Sequence, residues 1–177
     1  MTRLVRIAML FAALAVDAAP ASAAFRPGAP QPVDLVAVIV SDAKGDASLA
    51  EVVAGKPTIL HVWATWCAPC RTELPAVARF QAALDAEGLG DRLVLLSVDR
   101  SSHARVAAFL ADDLGLDLHT WFDTSRKARP AFRLLGYPAT VVLDGDGAIV
   151  WRHAGPLDWD DATLRDALTR YLTPAGQ

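Results

Sequence analysis

Apolar residues along the chain fall into two kinds of pattern. Residues 58–64 (TILHVWA) and 93–98 (LVLLSV) are short and almost wholly apolar, as in strands buried on both faces of a parallel sheet. Between them Leu74, Val77, Phe80 and Leu84 recur at helical spacing, predicting a helix over 69–87 that Gly88 and Gly90 stop and Pro75 kinks. Upstream, 33–40 reads as a strand, 42–46 as a turn and 49–53 as a short helical turn. Downstream, Ser101 or Ser102 is placed to cap a helix carrying Val106, Phe109 and Leu110. A strand over 118–122 and a helix over 127–135 follow. Residues 140–143 and 148–153, joined by Asp144-Gly145-Asp146-Gly147, carry a β-hairpin signal. A last helix over 160–172 is apolar at Leu164, Leu168, Tyr171 and Leu172. Alternating strands and helices, then a hairpin and a closing helix, predict an α/β domain with a mixed sheet.

Composition narrows the class. The 177 residues are 53% hydrophobic and 21% charged, too apolar for a disordered chain. The formal charge is −3 and no basic run exceeds Arg126-Lys127, which argues against a nucleic-acid partner. Residues 1–23 read as a secretory signal peptide: Arg3 and Arg6, an apolar core over 7–16, then Ala21-Ser22-Ala23 at the cleavage site. An uncleaved membrane anchor is the other reading. Residues 24–32, with Pro27, Gly28, Pro30 and Pro32, read as a stiff linker, and 33–173 as the domain. A periplasmic location is expected, with or without attachment to the inner membrane.

The chain has two cysteines, Cys67 and Cys70, in one Cys-x-x-Cys. The segment Trp63-Ala64-Thr65-Trp66-Cys67-Ala68-Pro69-Cys70 ends a strand and starts a helix. A thiolate there meets unpaired backbone N–H groups and the positive helix end, so its pKa falls and nucleophile is available at neutral pH. Cys67 at the exposed edge is the expected attacker, and Cys70, one turn in, the resolver. A structural disulfide is a second reading, though closing four residues restrains little chain. A copper module with Cys67 and Cys70 as ligands is a third. It would have to recruit from His61, His103, His119 and His153, and both methionines (Met1 and Met9) leave with the leader.

The motif ATWCAPCRTELP, then GYPAT and DGDGAIVWRHAGPLDW, resembles the TlpA/ResA-like thioredoxin-fold thiol–disulfide oxidoreductases over residues 33–172. The resemblance implies a thioredoxin-like fold with an N-terminal β extension and a central βα insertion. It makes Pro138 the fold's cis-proline, opposite the cysteines, and Glu73 an active-site acid able to exchange a proton with Cys70. Trp66, Pro69 and Tyr137 become substrate-contacting positions. His61 departs from the family, which commonly has an amide there and in thioredoxins a buried acid. It reads first as a satisfied core histidine and second as a proton relay to Cys70.

Ala68-Pro69 places no charge between the cysteines and so offers no special stabiliser of the reduced thiolate. With the resemblance, this points to reduction of protein disulfides rather than their formation. The implied partners are a substrate protein with a cysteine pair (apocytochrome c or a copper-site protein) and a membrane electron donor. No cofactor and no bound metal are expected, and the protein is expected to be monomeric.

Overall fold

The computed structural model describes residues 25–173; the expected signal peptide lies outside them. Seven strands form one mixed sheet in the order β2-β1-β5-β4-β3-β6-β7. They are β1 Ile39–Asp42, β2 Gly45–Ser48, β3 Thr58–Trp63, β4 Leu93–Ser97, β5 Trp121–Asp123, β6 Ala139–Leu143 and β7 Ile149–Ala154. The helices are α1 Leu49–Val53, α2 Ala68–Ala86, α3 His103–Ala108, α4 Ala128–Ala131 and α5 Ala162–Leu172. Strand β3 runs parallel to β4 and antiparallel to β6. The β1–β2 hairpin is the expected N-terminal extension, packed antiparallel against β5, and β5 with α4 is the insertion between β4 and β6.

Side-chain alternation along β3 sorts two cores. Ile59 and Trp63 face α2 and α5, packing with Leu74, Phe80, Trp159 and Leu168. Leu60 and Val62 face the other layer, with Leu49, Phe132 and Val141. His61 therefore points toward α2. The predicted face of α2 is the buried one, extended at its start by Cys70 and Glu73, and Pro75 lies within the helix. α1 carries a capping box, Ser48 accepting from Glu51 N–H while Glu51 accepts from Ser48 N–H.

Three expected elements differ. Residues 33–38 are not strand: the Asp34 carboxylate takes the Ala37 N–H and bends the chain, so β1 starts only at Ile39. The helix expected over 127–135 is a single turn. Arg133 at φ 51 closes it, with Leu134 N–H reaching back to the Arg129 carbonyl. The strand expected over 118–122 is restricted to Trp121–Asp123. Residues read as a linker dock on the sheet: Gly28 N–H donates to Val150 O at 2.7 Å, and Gln31 and Ile149 exchange hydrogen bonds at 2.9 Å. That covers the free edge of β7. Phe25 stands edge-on to Trp151 and Tyr171.

Candidate active site

The end of β3 and the start of α2 create the site. Ala64 O accepts the Cys67 N–H at 3.1 Å, turning the chain, and Cys67 is the N-cap of α2 with its Sγ accepting the Cys70 N–H at 3.3 Å. Pro69 occupies the first helical turn, where its missing N–H costs nothing, and is exposed. Cys67 and Cys70 form a disulfide with Cα atoms 5.3 Å apart. Cys67 is 6% exposed and Cys70 0%.

The loop before the cysteines is held by a residue that the sequence reading missed. Asp99, just past β4, accepts Thr65 N–H at 2.8 Å and Thr65 Oγ1–H at 2.7 Å, and Ser97 Oγ–H at 2.9 Å. No local signal marks it, since the contact joins residues adjacent only because β3 and β4 pair. Trp66 projects from this loop, 64% exposed, edge-on to Tyr137 at 5.8 Å. The Tyr137–Pro138 bond is cis, Pro138 is buried, and its carbonyl accepts the Gly155 N–H at 2.9 Å. Burial raises the Tyr137 phenol above its ordinary pKa, so it remains a protonated donor at neutral pH.

Behind the cysteines lies a buried polar pair. His61 on β3 and Glu73 on α2 bring Nε2 and Oε1 within 3.3 Å, with side-chain exposures of 1% and 5%. The two atoms are misaligned for a full hydrogen bond, and neither has another partner. The other Glu73 oxygen is occupied, accepting Leu157 N–H at 3.0 Å and Trp159 Nε1–H at 3.1 Å. His61 Nδ1 lies 3.2 Å from Thr140 Oγ1, its cross-strand neighbour on β6, and the ring stands edge-on to Trp159. Trp159 thus packs against His61 and also donates to Glu73. Among the described residues no cluster of three or more His, Cys, Asp or Glu is placed to hold a metal.

A strand–disulfide–helix unit beside a cis-proline loop carries two-electron exchange between sulfur pairs, and the class it defines is the thioredoxin-fold thiol–disulfide oxidoreductases. The chain belongs to the redoxin family, whose profile matches residues 17–168. It is 32% identical over 142 residues to the thiol:disulfide interchange protein DsbE of Escherichia coli, covering 77% of this chain and 71% of that one. It is also 32% identical over 117 residues to the thioredoxin-like protein YneN of Bacillus subtilis, covering 64% and 65%. Among solved structures, a thioredoxin-family thiol:disulfide interchange protein from Chlorobium tepidum superposes with a TM-score of 0.59 at 23% identity, covering 84% of this chain and 99% of that one. StoA from Bacillus subtilis gives 0.53 at 23%, covering 83% and 100%. These likenesses establish the expected thioredoxin-like architecture.

Proposed function

We propose that this protein is an exported reductant of specific protein disulfides, cycling between a Cys67/Cys70 dithiol and the disulfide. The observation that carries the reading is Cys67 at the N-cap of α2, the more exposed residue of the pair, its Sγ accepting the Cys70 N–H at the helix end that stabilises a thiolate. In the reduced protein the Cys67 thiolate attacks one sulfur of a substrate disulfide. A mixed disulfide forms, and the second substrate sulfur leaves as a thiolate and takes a proton. Cys70 loses its proton and attacks Cys67 Sγ, breaking the intermolecular bond and releasing the first substrate sulfur. Two electrons have passed to the substrate, and this protein holds the Cys67–Cys70 disulfide described above.

Glu73 and His61 lie behind Cys70, and we assign them its proton. Glu73 Oε2 is tied by two donors, so Oε1 with His61 Nε2 is the free end of the pair. Among the described residues Glu73 is the acid facing His61, beside the hydroxyl of Thr140 and the indole of Trp159. Trp66, Pro69 and Tyr137 contact substrate, and Pro138 shapes the backbone edge beside the sulfurs. The dithiol is restored by a membrane electron donor. The substrates implied by the resemblance are the cysteine pairs of apocytochrome c before haem attachment, or of a copper site before loading.

Insulin reduction by the wild type, with accumulation of a partner-linked mixed disulfide by Cys70→Ser, is the expected result. Trapping by Cys67→Ser alone reverses attacker and resolver. Equilibration with glutathione fixes direction: a potential more oxidising than roughly −150 mV overturns the reductant reading. Stoichiometric Cu(I) binding without insulin reduction replaces it with the copper module.

A further inference from the structure

Beside Trp66 and Tyr137 the surface opens into a cleft of about 750 Å³. Its charged lining is Arg100, Arg126 and Arg129 against Asp99 and Asp123. Both acids are already committed to shaping the chain. Asp99 binds Thr65 and Ser97, while Asp123 accepts from Ser125 Oγ–H, Lys127 N–H and Ala128 N–H. The three arginines are exposed and make no ion pair among the described residues, whereas Arg79 is paired with Asp160 and Lys56 with Asp91. Arg126 is held in the left-handed region at φ 59, a conformation unfavourable for a side-chain-bearing residue. The chain as a whole carries a formal −3, so three exposed guanidinium groups in the cleft beside Trp66 and Tyr137 run against its overall charge.

We infer that this cleft docks the segment of the substrate protein flanking its cysteine pair, and selects segments bearing aspartate or glutamate. The inference rests on the exchange reading above and adds the substrate's local charge to it. Guanidinium groups form forked, charge-assisted bonds to carboxylates. Trp66 supplies an exposed apolar platform at the end of the cleft nearest Cys67. Acidic segments are steered into the cleft and presented to the attacking sulfur. Basic ones meet three cations against two carboxylates, a lining of net positive charge.

The test uses two synthetic peptides sharing one intramolecular disulfide, flanked by glutamates in one and lysines in the other, with neutral hydroxyethyl disulfide as a third substrate. The reduced wild type is expected to favour the acidic peptide about tenfold in kcat/KM at low salt, the preference shrinking at high salt as charges are screened. In Arg100→Ala/Arg126→Gly/Arg129→Ala the ratio between peptides falls to about one, and in the triple Arg→Glu variant it inverts. Equal rates for both peptides with the wild type, or an acidic preference surviving in the variants, overturns the inference while turnover of hydroxyethyl disulfide leaves the exchange reading intact. Failure on all three substrates sinks the exchange reading. Fluorescence anisotropy of labelled peptides carrying serine for cysteine then decides the cleft alone: tighter binding of the acidic peptide upholds it, and equal binding overturns it.

Discussion

The two sides of the Cys67–Cys70 disulfide are built on opposite rules. Behind it, His61, Glu73, Thr140 and Trp159 are buried, and the carboxylate oxygen Oε2 is fully committed, leaving one misaligned His–Glu approach as the only slack. In front, Trp66 is 64% exposed and the arginines of the cleft make no ion pair among the described residues. A buried polar group without a partner costs stability, whereas an exposed one is solvated cheaply. The inner face is therefore fixed by its own hydrogen bonds, and the outer face remains open to solvent.

That contrast is broken most severely by Glu73→Leu, which orphans Leu157 N–H and Trp159 Nε1–H together and takes the carboxylate away from His61 Nε2. A loss of about 3 kcal/mol in unfolding free energy is expected by urea denaturation, with Glu73→Gln losing much less because an amide oxygen still accepts. His61→Asn, the amide that the family commonly carries, tests the proton assignment. Resolution of the mixed disulfide should slow about tenfold while the attack that forms it keeps its rate, read by stopped flow. An unchanged resolution rate leaves His61 a packing residue. Ser48→Ala, remote from both faces, removes the capping box of α1 and should cost about 1 kcal/mol without altering exchange rates. The smallest effect belongs to the outer face: Trp66→Ala should change stability by less than about 0.5 kcal/mol while raising KM for protein substrates.

Much of this was legible in the chain. The apolar runs placed β3 and β4, helical spacing placed the inner face of α2, and the motif around Cys67 and Cys70 placed the redox pair at a helix start. The misses share a cause. Asp34, by accepting the Ala37 N–H, turned an expected strand into a bend, and Arg133 took a left-handed position that sequence patterns reserve for glycine. Asp99 and Trp159 entered the site through partners 34 and 86 residues distant, where no local pattern reaches.

The sequence alone determined the reactive pair: two thiols three positions apart at a strand-to-helix junction, an arrangement suited to disulfide exchange. The apolar run around His61 also placed it in a strand buried on both faces. What the tertiary structure decided is what His61 meets. Pairing of β3 with β6 put Thr140 at one ring nitrogen, and packing of α2 on the sheet put Glu73 at the other. Hydrophobic burial is nondirectional and readable as pattern, whereas a polar contact depends on angles and distances that exist only once distant segments have closed.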